Sequence, residues 1–337
     1  MQLVHYLSTT PNFGDDLNRD IWPALAPGLF ADAGDGRGFV GIGTIIGMPD
    51  VPDMRLEVFS SGAGYDALAA WRGRDVVYHC VRGPVSARLC GLDPALALTD
   101  GAILAPLVPG LPDAAGGGAS GGGGIAVVPH FQTLAGGGWA EACAAAGMRL
   151  VDPRQNPHAV ISALAGADLV LTESLHGAIL ADSYGVPWRA FATSRNFGLA
   201  KWIDWTASVG LPMELTALPP PTAEPWLRFG KRAEPFGLAQ SYGLEDAERE
   251  FAGRVAPAIA SGSSGLKGAA KWLAHSALRA APPLQAALGL GVGRTATALA
   301  DLARQGPMLS ASSLRRELTA RMAERLAQVE RSCLIPA

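Results

Sequence analysis

The chain reads as an α/β protein of two Rossmann-like domains facing one another across a cleft, followed by C-terminal helices. Two patterns and one bound predict this. Apolar runs of strand length alternate with stretches of helical period through residues 1–115 and again through 125–230, the order that a parallel sheet with crossover helices imposes. Between the two series, Gly116-Gly117-Gly118-Ala119-Ser120-Gly121-Gly122-Gly123-Gly124 has the composition of a flexible tether. A length of 337 residues with 49% hydrophobic content suffices for about two cores. Residues 116–124 are therefore the expected linker, and 231–337 a helical region.

In the first series, residues 2–7 form a strand, and Asn12-Phe13-Gly14-Asp15-Asp16-Leu17-Asn18 is the turn after it. Gly14 lets the backbone turn, and Asp15 is suited to cap a helix running toward Trp22. Strand candidates over 38–43 and 56–60 each end in glycine, Gly41, Gly43 and Gly47 for the first and Gly62 and Gly64 for the second. Glycine at a strand end either makes a tight turn or lets backbone approach a ligand closely. Residues 66–71 have helical spacing, 76–80 form a strand, and Pro84 suits the first turn of the helix after Val81-Arg82-Gly83.

The second series runs strand 125–129 into His130, helix 139–145, strand 148–151, helix 158–164, strand 169–171, a helix closed by Gly185 and Pro187, and strand 188–191. Its centre is Leu171-Thr172-Glu173-Ser174-Leu175-His176-Gly177. A strand running straight into a helix sets the first backbone N–H groups of the helix, Gly177 among them, at the carboxyl edge of a sheet, where open α/β folds bind anions. His176 lies in that first turn, either facing the crevice or packed beneath a loop.

Beyond this the pattern gives helices over 196–209 and 247–260, and a last helix with Leu314, Leu318, Met322 and Leu326 on one stripe, suited to packing or to a homo-oligomer contact. Lys267, Lys271, His275 and Arg279 share a helical face, which is either solvated or set against a membrane surface. A net charge of −3 leaves no basic footprint for nucleic acid. No apolar run reaches the ~20 residues of a membrane span, and Met1-Gln2-Leu3-Val4-His5-Tyr6 lacks the basic start of a secretory leader. A cytoplasmic location is expected, with peripheral contact at the inner face of the membrane open to the Lys267 face. Cys80, Cys90, Cys143 and Cys333 lack ligand spacing and read as free thiols, so no metal site is expected.

Several of these pieces together resemble the polysaccharide pyruvyl transferases, especially the branch that forms ketals on bacterial exopolysaccharides such as succinoglycan. They are the Asn12 to Asn18 turn, Gly41-Ile42-Gly43-Thr44, Ser61-Gly62-Ala63-Gly64, Val81-Arg82-Gly83-Pro84, Pro129-His130, and Glu173-Ser174-Leu175-His176-Gly177-Ala178 leading to Gly185-Val186-Pro187. The resemblance implies a fold similar to glycosyltransferase fold B, phosphoenolpyruvate as co-substrate with no other cofactor, and a saccharide acceptor, polymeric or lipid-linked, with two suitably placed hydroxyls. Many members carry arginine two residues before the histidine that His176 matches; this chain has Ser174.

Ketal transfer needs an acid, a base, and cations for a phosphate and a carboxylate. His176 is the candidate acid, and Arg82 the candidate two-point anion clamp. His130 and Arg195, ranked ahead of Lys201, are candidates for the charge that Ser174 does not supply. Asp15, Asp16 or Glu173 could be the base; Asn12, Asp16, Gly43 and Gly64 are assigned to the acceptor side or to loops. Two alternatives stay open: a nucleotide-sugar glycosyltransferase of fold B, and a non-catalytic scaffold of an exopolysaccharide assembly complex.

Overall fold

The computed structural model describes residues 1–32, 34–113, 123–255 and 282–334. Most of the expected linker, and the Lys267, Lys271, His275 and Arg279 face, lie outside these residues. The fold is mixed α/β with two sheets. The first holds β1 (Gln2–Val4), β2 (Arg37–Val40), β3 (Arg55–Phe59) and β4 (Val76–Cys80) in sequential order, all parallel, with Val4 beside Val40 and Val40 beside Val58. Four consecutive residues of β3, Leu56 to Phe59, are buried, because both faces of a parallel sheet are covered.

The second sheet is ordered β10-β9-β8-β7-β5-β6. Its strands are β5 (Ile125–Val128), β6 (Arg149–Leu150), β7 (Leu169–Thr172), β8 (Trp188–Ala192), β9 (Met213–Ala217) and β10 (Ala239–Tyr242). All are parallel except β10, which pairs antiparallel with β9. The chain thus lays β6 on one side of β5 and β7 on the other, a reversal of strand order. Residues 231–337, read as helical, also supply the edge strand β10.

The helices are α1 (Phe13–Asp16), α2 (Asn18–Leu25), α3 (Pro84–Leu89), α4 (Phe131–Leu134), α5 (Trp139–Ala145), α6 (Pro157–Ala165), α7 (Leu175–Ser183), α8 (Leu199–Ser208), α9 (Glu224–Phe229), α10 (Leu244–Val255), α11 (Pro282–Ala287), α12 (Val292–Ala303) and α13 (Ser312–Leu334). Helix α7 is buried on nearly every side, from Leu175 through Asp182 except His176, as a helix apolar all round must be. It packs against the 3₁₀ turn Gly101–Leu107 of the first half. One apolar core runs through both halves, from Phe13, Trp22 and Phe59 to Ile179, Trp188 and Trp205.

One alternative is selected and one expectation changes here. The stripe Leu318, Met322 and Leu326 is buried in this same core, with α13 against the Gly101–Leu107 turn, so of packing and homo-oligomer contact it is packing that these three residues serve. Asp15 does not cap the helix toward Trp22, because it lies inside α1 and its carboxylate accepts from the Asn12 side chain at 2.7 Å. No helix among the described residues is long and apolar enough to cross a membrane. Cys80, Cys90, Cys143 and Cys333 are free.

Candidate active site

Strand order reverses between β5 and β7, which stay paired to their last residues, Val128 and Thr172; at such a reversal the connections leave in opposite directions and open a crevice. His130 follows β5 and Ser174 follows β7. Both line a cavity of about 320 Å³, within the ~300–1,000 Å³ of small-molecule sites. The first half completes its wall with Asn12, Asp15, Gly43, Thr44 and Arg82, and the second adds His176, Asn196 and Lys201. A backbone bond from Phe13 N–H to the Pro153 carbonyl, 3.0 Å, ties the Asn12 loop to the second half.

His176 enters this cavity through two local features. Ser174 is the N-cap of α7, its Oγ accepting from the Gly177 N–H, which starts the helix directly after β7. Gly177 itself serves packing: a Cβ there would stand 2.5 Å from Thr172 Oγ1. Opposite, a Cβ on Gly14 would fall 2.0 Å from His176 Nδ1, so only glycine at 14 lets the imidazole lie there. Burial lowers the His176 pKa to about 3, helped by the nearby Lys201 and Arg82 charges. The ring is therefore neutral near pH 7, and its Nε2 lies 4.0 Å from Asp100 Oδ2.

Arg82 is not a surface ion pair. It is 1% exposed, and its Nε donates to Asp204 Oδ2 at 3.0 Å. Nη1 donates to Thr44 Oγ1 and Nη2 to the Ala63 carbonyl; a Cβ on Gly62 would sit 2.2 Å from the guanidinium carbon. Asp204 also accepts from the Ser86 backbone and hydroxyl. This acid on α8 was missed at the sequence level, although its position in Trp202-Ile203-Asp204-Trp205, a wholly buried helical run, was a usable signal: a buried carboxylate requires a partner.

The other candidates separate clearly. Lys201 lines the cavity with its Nζ 5.3 Å from the Tyr65 ring centroid, a distance suited to cation–π attraction. Arg195 is exposed and outside the cavity lining, so the order that put it ahead of Lys201 is reversed. His130 caps α4, its Nδ1 accepting from Gln132 N–H and lying 3.1 Å from Asn196 Nδ2. Burial, then Lys201, lowers its pKa to about 3, so it supplies no positive charge near neutral pH. Glu173 is buried away from the cavity lining, with four donors from His130, Thr133 and Thr193 on its two oxygens; its lone pairs are committed to joining the loops after β5, β7 and β8. Asp16 faces a separate groove and Gly64 stands off the cavity, whereas Gly43 lines it with φ +126°. Asp15 lines the cavity beside Asn12, its pKa raised to about 6 chiefly by burial; Asp66 is a second carboxylate in the lining. No group of three or more His, Cys, Asp or Glu among the described residues is placed to hold a metal ion.

The buried histidines make stability depend on acid. Below the unfolded value of 6.5, the unfolded chain takes up protons that the folded His130, at about 3, refuses. Its contribution is thus present above pH 6.5 and lost as pH falls toward 3. In His130→Asn, which keeps a capping acceptor, the drop in urea unfolding free energy between pH 6.5 and 4 is expected to be smaller than in the parent; an equal drop refutes the assignment.

The model of a family described as polysaccharide pyruvyl transferase matches residues 13–195, the span from Phe13 of α1 to Arg195 just after β8. The chain is 34% identical over 213 residues to the succinoglycan biosynthesis protein ExoV of Rhizobium meliloti (strain 1021). That match covers 63% of this chain and 66% of the relative, just under two thirds of its length. No solved structure matches.

Proposed function

We propose that this chain, which belongs to the polysaccharide pyruvyl transferase family, transfers pyruvate from phosphoenolpyruvate to two hydroxyls of an exopolysaccharide sugar or its lipid-linked precursor. The observation that carries the reading is the convergence of His176, Asp15, Arg82 and Lys201, drawn from both halves, on one cavity at the strand-order reversal. The strand order of the second sheet also supports reading its half as a Rossmann-like domain, and the whole as similar to glycosyltransferase fold B.

The chemistry balances with these groups. The oxygen of the first hydroxyl bonds to C2 of the donor while the C2=C3 electron pair takes a proton at C3, making the methyl group. Phosphate then leaves C2 with the C–O electron pair, and the second hydroxyl adds to C2 and loses its proton. His176 moves the first proton and Asp15 accepts the second. Lys201 and the α7 N-terminus meet the donor's anionic groups, with the Arg82 N–H bonds that Asp204, Thr44 and Ala63 leave free. Because His176 is neutral near pH 7, it begins as the proton acceptor from the hydroxyl and becomes the acid only after taking that proton.

Thermal unfolding with phosphoenolpyruvate, and separately with nucleotide sugars, tests the proposal. A ligand at a hundred times its Kd stabilises by about 2.7 kcal/mol. The expected result is a raised Tm with phosphoenolpyruvate and none with nucleotide sugars. In Lys201→Met the increase is expected to shrink by an amount matching about tenfold weaker binding, or about 1.4 kcal/mol. A response to nucleotide sugars alone would assign the chain to glycosyl transfer instead.

A further inference from the structure

Asp100 follows β4 and its connection, immediately before the Gly101–Leu107 turn, and took no part in the reading of the sequence. Its Oδ1 accepts from the Ala102 N–H at 3.0 Å and caps that turn. Its Oδ2 is buried with no hydrogen-bond partner, as is His176 Nε2, and the two atoms lie 4.0 Å apart. Buried polar atoms without partners are costly, so two of them side by side on packed elements call for a common explanation. The Gly101–Leu107 turn and α7 are in direct contact, so the pair is held by two backbone elements that face each other.

We infer that Asp100 is the positioning residue of His176: its carboxylate takes the Nε2–H of the imidazole and so keeps Nδ1, over Gly14, as the nitrogen that exchanges a proton with substrate. This rests on the reading of His176 as the proton-transfer group. Closing the gap to hydrogen-bond distance, ~3 Å, needs a ring movement of about 1 Å, and such bonds tighten when a reacting complex forms.

The charges around the pair agree with that division of roles. Arg82, Asp204 and Asp15 act on Asp100, whose pKa burial raises to about 6; Lys201 and Arg82 act on His176. Near pH 7 the pair therefore holds a carboxylate and a neutral ring. When Nδ1 takes the proton of the attacking hydroxyl, the imidazolium forms beside that carboxylate; Nδ1 then gives the proton to C3 of the donor, and Asp100 ends without it.

The test uses the full chain with isotope-labelled histidine, reading the ring tautomer of His176 from its ¹⁵N shifts, with the signal assigned by its loss in His176→Gln. The parent is expected to carry Nε2–H. Asp100→Asn keeps an oxygen for the Ala102 cap and turns its amide N–H toward Nε2, so the ring is expected to switch to Nδ1–H. Its kcat is expected to fall about 10²- to 10⁴-fold, with donor KM changed less than about threefold. Asp100→Ser retains a capping hydroxyl but not the reach to His176, and is expected to lose rate comparably. A parent ring carrying Nδ1–H, or Asp100→Asn with the parent tautomer and near-parent kcat, overturns the inference. The tautomer is read without substrate, so its switch in a protein that makes no ketal would uphold the pairing and overturn pyruvyl transfer.

Discussion

His176→Gln is expected to lower kcat by about 10²- to 10⁴-fold, the usual contribution of a positioned proton-transfer group, while the Tm increase with phosphoenolpyruvate persists. Among the described residues, the imidazole is the side chain that lines the cavity, stands at the start of α7 and has a buried carboxylate near its inner nitrogen. Glutamine occupies similar space and offers polar atoms, but it cannot accept and return a proton near pH 7. Single-turnover rates at saturating donor would check this. Near-normal turnover would remove His176 from the chemistry and leave it to the carboxylates that line the cavity, Asp15 first among them.

Asp204→Ala is expected to destabilise the protein by about 3–5 kcal/mol, because it leaves the Arg82 guanidinium buried without its counter-charge. The pair joins the end of β4 to α8 across 122 residues of sequence, with both side chains at or below 1% exposure. Urea unfolding measures the loss, and a cost below about 1 kcal/mol would reduce the contact to the level of a surface pair. The double variant Arg82→Met with Asp204→Leu separates the two roles of the arginine. It is expected to recover only part of the stability, since the unpaired buried charge is removed while the Ser86 N–H and hydroxyl stay without the acceptor that Asp204 gave them. It is not expected to recover donor binding, because no guanidinium remains at the cavity wall.

The step from β7 into α7 was legible because everything that makes it is local. An apolar run of strand length, a serine able to cap, and a closing glycine lie within about 20 consecutive residues, and each acts on its own neighbours. The same holds for the strand ends that carry Arg82 and His130. What those side chains do on arrival was less legible. His130 was expected to bring charge, yet its Nδ1 is an acceptor for the Gln132 N–H and burial keeps it neutral. Glu173 sits next to the key helix but spends both oxygens on loop backbone and threonine hydroxyls, a commitment that only the neighbouring β5 and β8 could impose. Arg195 and Lys201 follow the same strand, but Arg195 bonds through its backbone N–H to the distant Gly230 carbonyl, and Lys201, on α8, lines the cavity.

By itself, then, the sequence determined the α/β alternation, the family likeness, and the position of His176 at a strand-to-helix transition, because each rests on short-range pattern and backbone preference. The tertiary structure alone decided the partners: Asp204 for Arg82, Asp100 beside His176, the Gly14 backbone beneath the ring, and α13 folded into the core. Such pairings depend on where distant segments are brought by burial of a shared apolar core, and buried charge and hydrogen-bond capacity are then matched among whichever groups meet there.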